Sequence, residues 1–147
     1  MSTTETFGLV EELGIAAPPE RVFRALTDPD AITRWWRVPG AYETTAARLD
    51  LRPGAAYRFS GTSAARGSFD VRGEFRDVEP PMRLSYTWNP DWDDDAAGSL
   101  VSFRLAPSEG GTRLVMEHTG IASASARDRY QPGWRAVLAS LRDLIQG

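Results

Sequence analysis

Met82-Arg83-Leu84-Ser85-Tyr86-Thr87-Trp88-Asn89 changes character at every step. Met82, Leu84, Tyr86 and Trp88 fall on one face, and Arg83, Ser85, Thr87 and Asn89 on the other. This is the signature of a strand with a core on one side and water on the other. Thr112 to Thr119 repeats it, with Leu114, Met116 and His118 opposite Arg113, Val115 and Glu117. Tyr57 and Phe59 are set against Arg58 and Ser60 in the same way. Period two predicts strands over residues 43–51, 55–62, 68–78, 82–89, 99–106 and 112–119. Arg52-Pro53-Gly54, Glu79-Pro80-Pro81 and Glu109-Gly110-Gly111 separate three pairs of them with turn-forming residues. Links this short leave no room for crossover helices, so neighbouring strands run antiparallel.

The flanks have other periods. Residues 7–15 read as a first strand. Pro18-Pro19-Glu20 opens a short helix whose apolar face is Val22, Phe23 and Leu26, with Glu20 suited to the positive end. Thr27-Asp28-Pro29 ends it; Asp28 or Asp30 caps a second helix carrying Ile32, Trp35 and Trp36, which Pro39-Gly40 stops. At the far end, Trp134, Val137, Leu138, Leu141 and Ile145 are spaced as one helical stripe, with Arg135, Ser140, Arg142 and Asp143 opposite. Ser125 with Asp128 is expected to cap an earlier turn, and Pro132 to kink or restart the helix near Gly133. The class is therefore α+β, with about seven antiparallel strands, two short helices after the first strand and a long C-terminal helix. One helix must cover a whole aromatic sheet face. Such a pairing tends to leave an apolar cavity, and small ligands bind in spaces of that kind.

Composition narrows the function. The chain has 147 residues, 41% hydrophobic and 25% charged, which fits one globular domain spanning residues 1–147, with residues 1–6 a flexible tail. The net charge of −3 gives no electrostatic reason for nucleic acid or an anionic membrane as partner. All 17 basic residues are Arg, as GC-rich coding produces. With no cysteine and one histidine, thiol nucleophiles, disulfides and thiolate metal sites are excluded, and no metal or other cofactor is expected. No secretory leader and no membrane-length apolar run are present, so a cytoplasmic location is expected.

A family pattern runs through these pieces in order. It comprises residues 18–29, the Trp35-Trp36 pair, residues 51–59, residues 73–84, Tyr86-Thr87-Trp88, residues 111–114, His118 and Gly133-Trp134. Taken together they resemble the activator-of-Hsp90-ATPase-like branch of the START/polyketide-cyclase (Bet v 1-like) superfamily. The resemblance implies a helix-grip fold, in which a curved sheet wraps a C-terminal helix.

The expected lining of the cavity is Tyr57, Phe59, Tyr86, Trp88, Met116, His118, Trp134 and Leu138. His118 is its polar handle, although a lone histidine without a nucleophile motif is more often structural. Trp35, Trp36, Trp88 and Trp134 serve core packing, and Trp88 and Trp134 also serve as wall. Asp91, Asp93 and Asp95 imitate the start of a calcium loop. Ala96 stands where its glycine belongs and Ser102 where its bidentate glutamate belongs, so the stretch reads as a solvated loop or a lip over the cavity mouth. Asp70, Arg72, Glu74, Arg76 and Asp77 read as charges coating the outer face of the sheet.

The leading expectation is a binder of a small hydrophobic molecule, with no catalytic residue and no obligatory reaction. A polyketide-cyclase-like enzyme is the first rival, with His118, Tyr57 and Tyr86 as its acid and base candidates. The family name also implies a chaperone partner, but the sequence supplies no separate support for one. A homodimer is left open.

Overall fold

The computed structural model describes residues 5–147, so residues 1–4 of the expected tail lie outside the described residues. The elements are β1 (Phe7–Ile15), α1 (Pro19–Thr27), α2 (Pro29–Trp35), β2 (Arg37–Val38), β3 (Tyr42–Leu49), β4 (Ala56–Ser63), β5 (Gly67–Glu79), β6 (Arg83–Pro90), β7 (Ser99–Ser108), β8 (Gly111–Ile121) and α3 (Ala124–Gln146). Every pairing is antiparallel, and the strands lie side by side as β1-β8-β7-β6-β5-β4-β3-β2. The sheet has eight strands rather than about seven. The additional one, β2, is two residues long, pairing Arg37 with Glu43 and Val38 with Tyr42, too short to leave a period-two signal.

Curvature comes from interruptions in the ladder. Register shifts fall between Phe7 and Leu9, Thr44 and Ala46, and Phe75 and Val78, and each extra residue bends its strand. Two glycines permit close backbone approach. A Cβ on Gly61 would stand 2.0 Å from the Glu43 carbonyl oxygen, and one on Gly73 would stand 2.1 Å from that of Thr87.

α3 crosses the concave face and packs against β1 and β2, the two edges of the sheet. Its buried stripe is Trp134, Val137, Leu138, Leu141 and Ile145, the five residues that the helical spacing selects. Polar bonds fix the middle and the C-terminal end of the helix. Arg135 reaches Glu11 of β1 at 2.6 Å, the Arg21 guanidinium donates to the Ile145 carbonyl at 2.7 Å, and the Ala16 N–H donates to Gln146 Oε1 at 2.9 Å. One hydrophobic core cluster runs from Leu9 to Ile145.

Four local expectations change. The cap of α3 is Ser123, whose hydroxyl accepts from the Ala126 N–H, while Ser125 accepts from Arg129 instead. Pro132 neither ends nor restarts the helix. It lies on the exposed face, where water can satisfy the carbonyl that loses its N–H partner. Trp36 is the C-cap of α2 rather than part of its helical face. Met82 precedes β6 and is exposed, because the turn from β5 engages its backbone. Among the described residues no helix is long and apolar enough to cross a membrane.

Candidate functional site

Trp36 organises the interior. Asp28 accepts from the Asp30 N–H, Pro29 opens α2, and the helix ends so that Trp36 enters the concavity. Its ring stacks on Trp35 at 4.8 Å and on Trp88 of β6 at 5.7 Å, with Phe59 at 5.3 Å and Trp134 at 5.4 Å. Pairs of this kind contribute about 0.5–1.5 kcal/mol each beyond area burial. Trp35 is fully buried, and its Nε1 donates to the Ala25 carbonyl at 2.8 Å. Its work is structural.

Beyond Trp36 a cavity of about 320 Å³ opens between the sheet and α3. Phe59, Phe69, Val71 and Trp88 form its sheet wall, and Tyr130, Gly133, Trp134 and Val137 form its helix wall. Tyr42, Thr44, Ser63 and Ala65 line it from β3 and the β4–β5 hairpin. Trp92, from the β6–β7 connection, packs edge-on against Phe69 and Trp88. The two charged residues in the lining are Arg66 and Arg129, both exposed.

Of the eight side chains expected in the lining, Phe59, Trp88 and Trp134 are there. Tyr57, Tyr86, Met116, His118 and Leu138 are buried but are not part of the wall, and this corrects the lining expected from parity. Parity identifies the face on which a side chain lies. It does not say whether another aromatic ring stands between that side chain and the cavity. Wall residues pack directly on three of them: Trp134 stands beside His118, and Phe59 packs on Tyr57 and Tyr86.

His118 is fully engaged. The Trp134 Nε1–H donates to Nδ1 at 3.1 Å, so the ring proton sits on Nε2 and points to Ser99 Oγ at 2.8 Å. Ser99 in turn donates to the Ala96 carbonyl. Burial lowers the imidazole pKa from 6.5 to about 4, so the ring is neutral at neutral pH. Burial likewise holds Tyr57 and Tyr86 as neutral phenols, and the Tyr57 hydroxyl donates to the Thr87 carbonyl. None of the three acid–base candidates therefore faces the space where a substrate would lie.

The acidic loop is tied down on the α3 side. Asp93 accepts from Arg129 at 3.0 Å and from the Asp95 N–H, while Asp95 accepts from the Ser123 hydroxyl at 2.7 Å. Their carboxylates are committed to the start of α3. The loop is a fastened rim, carrying a 3-10 turn at Asp94–Ala96.

The architecture and the sequence converge on one relationship. The family model of Activator of Hsp90 ATPase homolog 1-like protein matches residues 16–146. The chain belongs to that family. Protein CV1439 from Chromobacterium violaceum superposes with a TM-score of 0.86 at 28% identity, covering 95% of this chain and 97% of the other. The AHSA1-like protein from Aeromonas hydrophila gives 0.81 at 28% identity, with 95% and 92% covered. Protein MLL2253 from Mesorhizobium loti gives 0.77 at 30% identity, with 95% and 97% covered. Among curated proteins none matches. The fold is the helix grip that the resemblance implies.

Three wall residues missed by the sequence reading, Tyr130, Gly133 and Val137, had a signal. Tyr130, Gly133, Trp134 and Val137 are spaced i, i+3, i+4, i+7, so the stripe of α3 extends one turn toward its N-terminus. Reading Pro132 as a break concealed it. Trp92 and Arg66 come from connections, where no period exists to assign them a side.

Proposed function

We propose that this member of the family binds a small apolar or aromatic molecule in the cavity between the sheet and α3, with no obligatory reaction. The observation that carries the proposal is the 320 Å³ cavity itself, walled by Trp36, Phe59, Trp88, Tyr130 and Trp134. Aromatic walls with a few polar groups at one end are the usual form of a small-molecule site. Catalysis of the cyclase type is disfavoured because His118, Tyr57 and Tyr86 spend their polar atoms elsewhere or lie outside the wall.

Gly133 supplies a selective test. It lines the cavity, and a Cβ built on it meets nothing within 4 Å, so Gly133→Leu fills the space without a backbone clash. Titration with 2-naphthylmethanol, followed by tryptophan emission, should show sub-millimolar binding to the unmodified protein and none to Gly133→Leu. Native mass spectrometry of freshly purified protein should show a retained small molecule in the first and not the second. Failure of the naphthyl probe to bind, or equal binding to both proteins, would sink the proposal.

A further inference from the structure

The cavity has a chemical polarity that its aromatic wall conceals. Among the described residues no carboxylate lines it, while two guanidiniums, Arg66 and Arg129, do. The hydroxyl-bearing wall groups are the phenols of Tyr42 and Tyr130 and the hydroxyls of Thr44 and Ser63. Burial raises both phenol pKa values, that of Tyr130 to about 12, so each is a neutral group with a proton to donate. The Tyr130 oxygen already accepts from Trp88 Nε1 at 3.1 Å, which leaves its O–H as what it can offer a ligand. Donors prevail, in a protein whose net charge is −3.

The two arginines meet at one place on the rim. Arg66, at the tip of the β4–β5 hairpin, donates from Nη1 to the Trp92 carbonyl at 3.2 Å. Arg129 of α3 bonds the side chain of the next residue, Asp93. Consecutive rim residues therefore hold guanidiniums arriving from opposite walls. Their commitments differ. Asp93, with a side chain only 11% exposed, already neutralises much of Arg129. Among the described residues no carboxylate lies within ion-pair distance of Arg66.

We propose that the ligand is an aromatic carboxylate, with its ring in the cavity against the wall of Trp36, Phe59, Trp88 and Trp134 and its carboxylate at the mouth against Arg66, with Arg129 behind. The inference rests on the cavity being a ligand site and adds the chemical class of the ligand. A carboxylate suits the mouth because a guanidinium presents parallel N–H donors in a plane, and such charge-assisted bonds are about twice as strong as neutral ones. The aromatic wall accepts the ring and would reject a fully hydrated anion.

Calorimetric titration of 2-naphthoate and of 2-naphthylmethanol, which share a ring and differ in charge, tests it. The unmodified protein should prefer naphthoate by about tenfold or more at low ionic strength. Raising salt should weaken naphthoate alone, since exposed charges are screened. Arg66→Gln should remove most of the preference, weakening 2-naphthoate far more than 2-naphthylmethanol. Arg72→Gln, on the outer face where Arg72 pairs with Asp70 at 2.8 Å, should change neither probe. Equal affinity for the two probes, or a preference that survives Arg66→Gln, overturns this inference and leaves the cavity reading standing. Binding of neither probe overturns both.

Discussion

Trp134 donates its indole N–H to His118 Nδ1 across 3.1 Å, and both side chains are buried. The bond joins the helix to the sheet, and through Ser99 and Ala96 it continues to the 3-10 turn beside the mouth. A chain of neutral groups does this without a buried charge. It works only while Nδ1 remains an acceptor.

Acid should therefore weaken the fold through His118. Above about pH 7 the ring is neutral both folded and unfolded, and its titration adds nothing. As pH falls below 6.5 the unfolded chain binds a proton that the folded chain refuses until about pH 4. Stability drops across that window, by about 3 kcal/mol in all, and this contribution is flat below it. His118→Gln can accept from Trp134 and donate to Ser99 but does not titrate. Urea unfolding of both proteins from pH 7 to pH 4 should give a steeper loss for the histidine form. Parallel pH profiles would show that the ring charges freely in the folded state.

Trp134 can be divided into its polar and apolar roles. Trp134→Phe keeps most of the ring and removes the donor, leaving His118 Nδ1 buried without a partner, at a cost of about 1–3 kcal/mol. Trp134→Ala removes the contacts with Trp36, Trp88 and Phe103 as well, at a cost of about 3–5 kcal/mol. It should also enlarge the cavity and change naphthyl affinity, which Trp134→Phe should do less. Denaturant midpoints together with emission titration separate the two effects.

These residues show where sequence reading succeeds and where it stops. Tyr57, Phe59, Leu84, Tyr86, Trp88, Leu114, Met116 and His118 are all buried, so alternation alone finds the inner face. The same rule puts Arg83 outside, where it pairs with Glu79 and Asp77. The distance of a side chain from an empty space is a property of packing. His118 and Trp134 touch, but only Trp134 reaches the cavity. Met82 obeys the alternation yet lies just before the strand, because backbone bonds at the turn, and not periodicity, decide where pairing begins.

The C-terminal helix should be indispensable to folding. Trp134, Val137, Leu138, Leu141 and Ile145 together cover the concave face, each nearly inaccessible to solvent. Burying one such side chain contributes about 1.5–3 kcal/mol, so losing five approaches or exceeds the ~5–15 kcal/mol of a typical domain. A chain ended after Gly120 should show no cooperative thermal transition by circular dichroism. A melt near the full-length temperature would refute the role given to α3.

Gly133→Leu should make the ligand-free protein more stable while abolishing naphthyl binding. Glycine inside a helix costs about 1 kcal/mol relative to a good helix former such as leucine. Position 133 has ordinary helical geometry, and a new Cβ meets nothing within 4 Å, so no strain offsets the gain. The added side chain also buries apolar surface against Trp36 and Val137, which line the same cavity. A rise in denaturant midpoint of about 1 kcal/mol or more, together with loss of naphthyl binding, is the expected outcome. The pairing matters more than either change alone, because most substitutions that abolish binding also destabilise. Lower stability with binding lost would mean that the cavity is smaller than the leucine side chain. Higher stability with binding kept would place the ligand somewhere other than beside α3.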